Sequence, residues 1–186
     1  MPGIENGRIE PIILEGESLT PFTGRRTEMD RLASLLLERE LVCIHGPVGI
    51  GKSRLCVEAG RKLSTRYPDG IAYAALDSVR TRPRLVSAMA QAAGLSFYNS
   101  KGKLGQLAAY LEGRRTLLIC DGIEDFEGLN GVFDGLLPSL GGSVVLCNRG
   151  KPLSHPDSAS LALSGLECCG SEGRPAPAPA LEQSAF

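Results

Sequence analysis

The sequence predicts an α/β fold in which a parallel β-sheet is covered by helices on both faces. Short apolar runs of strand length alternate along the chain with stretches in which apolar residues recur at helical spacing. Such alternation favours parallel strands, because each helix carries the chain back to the start of the next strand. The first apolar run also leads directly into a glycine-rich segment and then into a helical pattern.

The first predicted helix precedes the first strand. Its apolar residues recur at i, i+3, i+4 and i+7: Met29, Leu32, Ala33 and Leu36. Thr27 and Asp30 stand three residues apart, which resembles a capping box and predicts that the helix begins at Thr27.

Five strands and four further helices follow. The apolar runs that predict strands are 41–44, 71–76, 117–120, 143–147 and, more weakly, 160–166. Helical spacing of apolar residues predicts helices over 54–63, 85–92, 104–111 and 129–136. Glycines end several of them, and Pro138 with the Gly141-Gly142 pair breaks the last one.

The glycine-rich segment is a complete phosphate-binding loop. Residues 46–53 read GPVGIGKS, which matches the pattern G-x-x-x-x-G-K-[ST] between a strand and a helix. Its glycines allow the backbone N–H groups to point inward at phosphate oxygens, and the following helix adds the positive end of its dipole. The cofactor-binding residues expected here are Gly46, Pro47, Val48, Gly49, Ile50, Gly51, Lys52, Ser53 and Arg54.

Two side chains of the loop are expected to carry the chemistry. Lys52 would reach the β- and γ-phosphates as a point charge, and the Ser53 hydroxyl would be a ligand of Mg²⁺. The alternative is a glycine-rich turn with a purely structural role.

A carboxylate is needed to complete the metal site, and Asp121 is the expected one. It ends the most apolar strand, so it should emerge at the carboxyl edge of the sheet beside the loop. Glu124 is predicted to orient or deprotonate the attacking water, with Asp125 as the alternative. Arg149, after the fourth strand, is predicted to sense the γ-phosphate. The alternative is that none of these residues takes part in catalysis. Asp121 would then start a turn, Glu124 and Asp125 would lie in a solvated loop, and Arg149 would be an ordinary surface arginine.

Composition indicates a globular protein and excludes other classes. The 186 residues are 42% hydrophobic and 22% charged, with a formal net charge of −1. No apolar run is long enough to span a membrane, and the N-terminus has no signal-peptide pattern, so we expect a cytoplasmic protein without a membrane partner. The charge gives no sign of direct nucleic-acid binding.

The cysteines at 43, 56, 120 and 147 lie in apolar surroundings without ligand spacing, which predicts buried thiols rather than a metal centre.

Three segments are expected along the chain. Residues 1–17 have no clear period and should form a loose N-terminal arm, whereas residues 18–167 should form the P-loop nucleotide-binding domain. Residues 168–186 should be a disordered tail, because the stretch 173–180 is low-complexity sequence rich in Pro and Ala.

At family level, the chain resembles the STAND class of P-loop ATPases. The resemblance rests on FTGRRTE at 22–28, the loop at 46–53, LLICDGIED at 117–125 and CNR at 147–149, and it spans about residues 20–166. This class is related to AAA+ proteins and includes NB-ARC, NACHT and bacterial transcription-regulator ATPases.

The resemblance implies a P-loop NTPase three-layer sandwich with a parallel five-stranded sheet in the order 5-1-4-3-2. It also implies an ATP- or ADP-driven switch in signalling, transcription control or defence. Gly24 and Arg25 would lie near the adenine, and Arg149 would occupy the sensor position.

The chain departs from the class in two respects. Gly122 stands where vigorous AAA+ hydrolases have an acid directly after the Mg²⁺ aspartate, which predicts slow turnover. The helical lid and winged-helix region expected after the fifth strand are replaced by the Pro/Ala tail, which suggests truncation or a frameshift. Homo-oligomerisation or effector domains outside this chain would then provide the output.

Three functions are consistent with these patterns. The favoured one is an ATP/ADP-binding switch domain with slow Mg²⁺-dependent hydrolysis, and therefore a weak ATPase. The second is a non-catalytic interaction fragment that lost productive binding with its lid. The third, a small-molecule P-loop kinase, is disfavoured because no Arg-rich lid or phosphoacceptor pocket follows the fourth strand.

Overall fold

A computed structural model of the chain describes residues 24–150 and 155–164. The predicted arm at 1–17 and the predicted tail at 168–186 lie outside the described residues, as do both ends of the predicted domain at 18–167.

The described part contains five helices and five strands, in the order that the sequence predicts. In chain order the elements are α1 (Arg26–Glu38), β1 (Leu41–His45), α2 (Lys52–Lys62), β2 (Ile71–Ala75), α3 (Arg82–Ala92), α4 (Lys103–Leu111), β3 (Leu117–Asp121), α5 (Asn130–Leu136), β4 (Ser143–Asn148) and β5 (Ser158–Ala162). A short 3₁₀ turn, Leu137–Ser139, continues α5.

The strands form one parallel sheet in the order β2-β3-β4-β1-β5. Read from the other edge this is 5-1-4-3-2, so the predicted α/β fold and strand order are confirmed. Residue His45 is in register with Asn148, and Asp121 is in register with Cys147. The carboxyl ends of β1, β3 and β4 therefore lie side by side at one edge of the sheet.

Helices pack on both faces, and the alternation of side chains along each strand divides the core in two. On one face α3, α4 and α5 pack against residues such as Leu41, Cys43 and Leu118. On the other face α1 and α2 pack against the intervening residues, such as Val42 and Ile44. The central strands are buried on both sides, which explains why their sequences are continuously apolar.

The predicted capping box at the start of α1 is wrong. The helix begins at Arg26, and its N-cap is Arg25 in the left-handed conformation (φ 54°, ψ 31°), with no side-chain cap hydrogen bond. The amide of Met29 donates to the carbonyl of Arg25 at 2.9 Å, which closes the first turn. Thr27 is already inside that turn, so its hydroxyl does not stand at the cap position.

The fifth strand exists, but its bounds differ from the prediction of 160–166. It spans Ser158–Ala162 and, among the strands of the described residues, pairs only with β1, with Leu41 in register with Ser158. As an edge strand it has just one buried residue, Leu161, so its apolar pattern is weak. Residues 165 and 166 lie outside the described residues.

The prediction that the scattered cysteines are buried is confirmed for four of them: Cys43, Cys56, Cys120 and Cys147. Burial raises the pKa of the Cys120 thiol, and the charge of Asp121 adds to the effect. None of the helices within 24–150 and 155–164 combines the length and apolarity needed to cross a membrane.

Candidate functional site

The loop between β1 and α2 owes its shape to glycine. Gly49 has φ 75° and Gly51 has φ 92°, a region that residues with a Cβ rarely adopt. Gly51 is the N-cap of α2, so the helix starts at Lys52 with its free backbone N–H groups facing the loop. The result is a concave run of amides at a helix N-terminus, which is an anion-binding arrangement.

Lys52 is folded across this loop. Its Nζ donates to the carbonyl oxygens of Gly46 and Pro47, both at 2.8 Å, and the residue is only 7% exposed. These two carbonyls hold the ammonium at the rim of the concave run of amides. The cation and the amides therefore present positive charge to the same small volume.

Asp121, at the carboxyl end of β3, contacts the loop. Its Oδ2 accepts a hydrogen bond from the Ser53 hydroxyl and a second one from the Tyr73 hydroxyl, the latter at 2.6 Å. Burial raises the pKa of the Tyr73 phenol, and its hydrogen bond to Asp121 raises that pKa further. Tyr73 and Ser53 thus hold the carboxylate in one orientation beside the phosphate-binding loop.

A cleft of about 250 Å³ opens above these groups. Its lining comes from the loop, from the start of α2 and from the residues that follow β2, β3 and β4: Val48, Gly49, Gly51, Lys52, Ser53, Arg54, Asp77, Asp121, Gly122 and Arg149. All of these except Asp77 and Gly122 are residues that the sequence predicts for the site. The volume of the cleft is below the roughly 300–1,000 Å³ of pockets that enclose a whole ligand.

The remaining predicted residues do not line the cleft. Gly46 and Pro47 contribute the carbonyls that hold Lys52, and Ile50 packs against the core on the α2 side. The carboxylate of Glu124 is paired with Arg80 at 2.7 Å, and both side chains are nearly half exposed.

Gly24 and Arg25 also lie outside the cleft lining. The Arg25 guanidinium is buried and donates to the backbone oxygen of Ser164 at 2.9 Å and to the Glu28 carboxylate at 3.1 Å. It ties the start of α1 to the segment after β5. The expected place of Gly24 and Arg25 beside an adenine stays a prediction.

Besides Gly122, which has no side chain, two residues of the site were not identified from the sequence. Asp77 follows β2 at the same edge at which Asp121 ends β3, so the rule that identified Asp121 applies to it as well. Tyr73 lies two residues before Ala75, the register partner of Asp121, and therefore shares a face of the sheet with that carboxylate. Recognising Tyr73 requires the register, which the sequence does not state.

The donor set fits a magnesium ion that is bound together with phosphates. Within the described ranges there is no group of three or more His, Cys, Asp or Glu residues that could enclose a metal. One carboxylate, Asp121, and one hydroxyl, Ser53, stand beside the concave amides instead. Mg²⁺ is typically held by one or two protein oxygens, substrate phosphates and water, which is the set this site offers.

Comparison with known proteins gives distant relatives in sequence. No family model matches the chain. The uncharacterized protein Rv0894 of Mycobacterium tuberculosis is 30% identical over 122 residues, which is 65% of this chain and 31% of that protein. Protein Mb0918 of Mycobacterium bovis matches to the same extent. The chain thus spans about a third of the length of the curated relatives it matches.

Solved structures share the fold at low sequence identity. Cdc6p from Pyrobaculum aerophilum aligns with a TM-score of 0.54 at 18% identity, covering 72% of this chain and 41% of that one. The Drosophila origin recognition complex bound to DNA contains a chain that aligns with a TM-score of 0.52 at 16% identity, covering 76% and 43%. Together with the strand order and the loop, these likenesses define the class: this chain has the P-loop NTPase fold.

Proposed function

We propose that this chain binds ATP and ADP with Mg²⁺ and acts as a nucleotide-dependent switch that hydrolyses ATP slowly. The observation that carries the proposal is the hydrogen bond from Ser53 to Asp121, which joins the phosphate-binding loop to the carboxylate that ends β3. A loop alone is an anion site, whereas a loop with an adjoining hydroxyl and carboxylate suits a metal-bound polyphosphate.

Each group of the site has a role in this proposal. The amides around Gly49 and Gly51 and the ammonium of Lys52 bind the phosphates. Ser53 and Asp121 would hold Mg²⁺, which, when bound, neutralises charge that builds up on the phosphates during transfer to water. Tyr73 keeps the Asp121 carboxylate in position, since its hydroxyl donates to Oδ2 at 2.6 Å.

Hydrolysis also needs a group that orients water and one that senses the terminal phosphate. We assign the first role to Glu124 and the second to Arg149, which lines the cleft. Glu124 must leave Arg80 in order to act, and this costs little, because ion pairs between such exposed side chains contribute about 0–1 kcal/mol. The low rate follows from Gly122, which places no carboxylate directly after Asp121.

The biological setting belongs to the same proposal. We place the chain with the STAND class, as a cytoplasmic regulator in signalling, transcription control or defence. Gly24 and Arg25 would contact the nucleoside, and partners would be effector domains or further copies of the protein. The supporting residues are those of the Gly24-Arg25 segment, the loop at 46–53, the segment 117–125 and the end of β4.

Calorimetric titration with ATP and with ADP, in the presence of Mg²⁺, tests the proposal. The native chain should bind both nucleotides, and Lys52→Ala should abolish measurable binding because the cation at the rim of the loop is lost. Lys62→Ala is the matched control, since this lysine lies at the other end of α2 and pairs with the exposed Asp30. Circular dichroism should show that all three proteins are folded.

The products of a turnover assay separate the alternatives. Slow release of inorganic phosphate supports the ATPase, and transfer of phosphate to a small metabolite would indicate a kinase. A folded native chain that binds neither nucleotide would contradict the proposal and favour an interaction fragment.

A further inference from the structure

Two oppositely charged side chains face each other across the cleft. The guanidinium of Arg149 is hydrogen-bonded to Oδ1 of Asp77, and both residues line the volume above the phosphate-binding loop. Their side chains are 45% and 57% exposed, so the pair is open to a ligand that enters the cleft. The proposed sensor of the terminal phosphate is thus already occupied by a carboxylate of the same chain.

Backbone hydrogen bonds place this pair. The amide of Leu76 donates to the carbonyl of Asp121 at 2.7 Å, which extends the β2–β3 pairing up to the residue before Asp77. The amides of Gly122 and Ile123 both donate to the carbonyl of Cys147 at 3.1 Å, two residues before Arg149. The ends of three neighbouring strands are therefore tied together, which sets Asp77 and Arg149 on either side of Gly122.

Gly122 leaves the space in which the Asp77 carboxylate lies. A Cβ at position 122 would stand 2.6 Å from Oδ1 of Asp77, well inside van der Waals contact, and Gly122 has φ 76°. The absence of a side chain after Asp121 therefore allows the carboxylate of the neighbouring strand end to sit over the backbone there. Asp77 reaches Arg149 from this position.

A terminal phosphate and the Asp77 carboxylate would compete for the same donor. Both are oxyanions that accept hydrogen bonds from a guanidinium, and the phosphate carries the larger charge. A nucleoside diphosphate lacks the terminal phosphate and would leave the pair in place.

Building on the proposed function, we infer that Asp77 is an internal competitor of the γ-phosphate. It holds Arg149 when the terminal phosphate is absent, and it thereby reduces the preference of the site for the triphosphate over the diphosphate. Asp77 acts through Arg149, so it is a positioning residue that sets the ATP-to-ADP discrimination of the switch.

The expected size of the effect follows from the exposure of the pair. Exposed ion pairs of this kind correspond to a change of about 1.4-fold to fivefold in an equilibrium constant. Asp77→Asn should therefore strengthen the binding of a non-hydrolysable ATP analogue by about that factor and leave ADP binding unchanged. Asp157→Asn is the matched control, because this exposed aspartate precedes β5 at the opposite edge of the sheet.

A double-mutant cycle with Arg149→Gln separates this competition from simple charge repulsion. Dissociation constants for the ATP analogue and for ADP are measured by calorimetry in the native chain, in each single variant and in the double variant. If Asp77 acts through Arg149, the effect of Asp77→Asn on the ratio of the two constants disappears in the Arg149→Gln background. If Asp77 merely repels the phosphates, the effect persists there, and the inference is overturned.

The remaining outcomes are equally decisive. The inference is overturned if Asp77→Asn binds the ATP analogue more weakly than the native chain does. It is also overturned if the ratio of the dissociation constants for the ATP analogue and ADP does not change. Both results would leave the proposed function intact. A native chain that binds neither nucleotide would contradict the proposed function itself, and so the two failures are distinguishable.

Discussion

Ser53 and Asp121 are joined by a hydrogen bond from the serine hydroxyl to the carboxylate, although 68 positions separate them in the sequence. Ser53 lies in the first turn of α2, which follows β1, and Asp121 lies at the end of β3. In the sheet, β3 is two strands away from β1. Strand β4 lies between β1 and β3, so the contact exists only because the crossover connections return each strand in parallel. It is the geometric link between the glycine-rich loop and the carboxylate that we propose as a ligand of Mg²⁺.

Ser53→Ala should raise the Mg²⁺ concentration needed for half-maximal ATP binding. Without the Ser53 hydroxyl, Asp121 is the remaining proposed protein ligand of the ion. We expect the affinity for Mg²⁺ to fall by about tenfold or more, as it does when a group that supports a metal ligand is removed. Fluorescence titration of Mg²⁺ at a fixed concentration of a labelled ATP analogue measures this. Ser64→Ala, at an exposed position just after α2, should behave like the native chain. Equal Mg²⁺ requirements in all three proteins would contradict the assignment.

Tyr73→Phe should lower the free energy of unfolding by about 1 kcal/mol, because the hydrogen bond to the Asp121 carboxylate is lost in a half-buried place. Urea unfolding of the nucleotide-free protein measures the change. Tyr98→Phe is the matched control, since Tyr98 is 82% exposed and should have no measurable effect. A stability equal to that of the native chain would show that the contact does not contribute.

The same variant should change the pH dependence of stability. The pKa of Tyr73 is raised in the folded chain by burial and by Asp121. Its contribution is fully present below about pH 10, where an unfolded tyrosine ionises, and is lost as the pH rises further, because the unfolded chain then binds fewer protons. The melting temperature of Tyr73→Phe should fall less steeply than that of the native chain above about pH 10. Parallel curves would contradict this.

Gly60→Ala and Gly105→Ala should shift stability in opposite directions. A Cβ on Gly60 in α2 would stand 2.6 Å from Cδ1 of Ile71 and 2.9 Å from Cδ2 of Leu117. Overpacking against these two side chains should outweigh the gain in helix propensity, so we expect the free energy of unfolding to fall by about 1 kcal/mol. Gly105 in α4 is exposed with no atom in reach, so alanine there should add about 0.5–1 kcal/mol. Denaturant unfolding measures both, and a stabilising Gly60→Ala would show that α2 does not approach the sheet this closely.

Glu124→Gln should slow phosphate release by about a hundredfold if this carboxylate takes the proton of the attacking water. Nucleotide affinity should not change, because Glu124 does not line the cleft and contacts Arg80 instead. Phosphate release under single-turnover conditions measures the rate. Glu127→Gln, at an exposed position in the same loop, is the control. Unchanged turnover by Glu124→Gln would exclude it as the water-orienting group.

Much of the fold could be predicted because its signals are local. The apolar runs of the central strands are continuous, since both faces of the sheet are covered, and the segment at 46–53 fixes the turn between β1 and α2. The start of α1 could not be predicted, because Arg25 adopts a left-handed conformation while its side chain is held by Ser164, far along the chain. The bounds of β5 differ from the predicted 160–166 for a related reason, since its register with β1 defines them.

The site shows the same division between local and non-local information. Residues within the loop, and Asp121 at the end of an apolar strand, carry their own sequence signals. Tyr73 can be identified as a site residue only from the register of β2 with β3. Asp77 follows β2, whose sequence is less apolar than that of β3, and it belongs to no motif. Like Asp121, it lies at the carboxyl end of a parallel strand, where site residues are expected.

The central claim is that the loop around Lys52 and the Asp121 carboxylate bind one Mg²⁺-bound triphosphate. Its most direct test is the ATP-induced rise in melting temperature of the native chain and of Asp121→Asn, each with Mg²⁺ and with a chelator. We expect Mg·ATP at about a hundred times Kd to stabilise the native chain by about 2.7 kcal/mol, and Asp121→Asn to lose the part of this that Mg²⁺ adds. No added stabilisation by Mg²⁺ in the native chain, or the same increment in Asp121→Asn, would contradict the account.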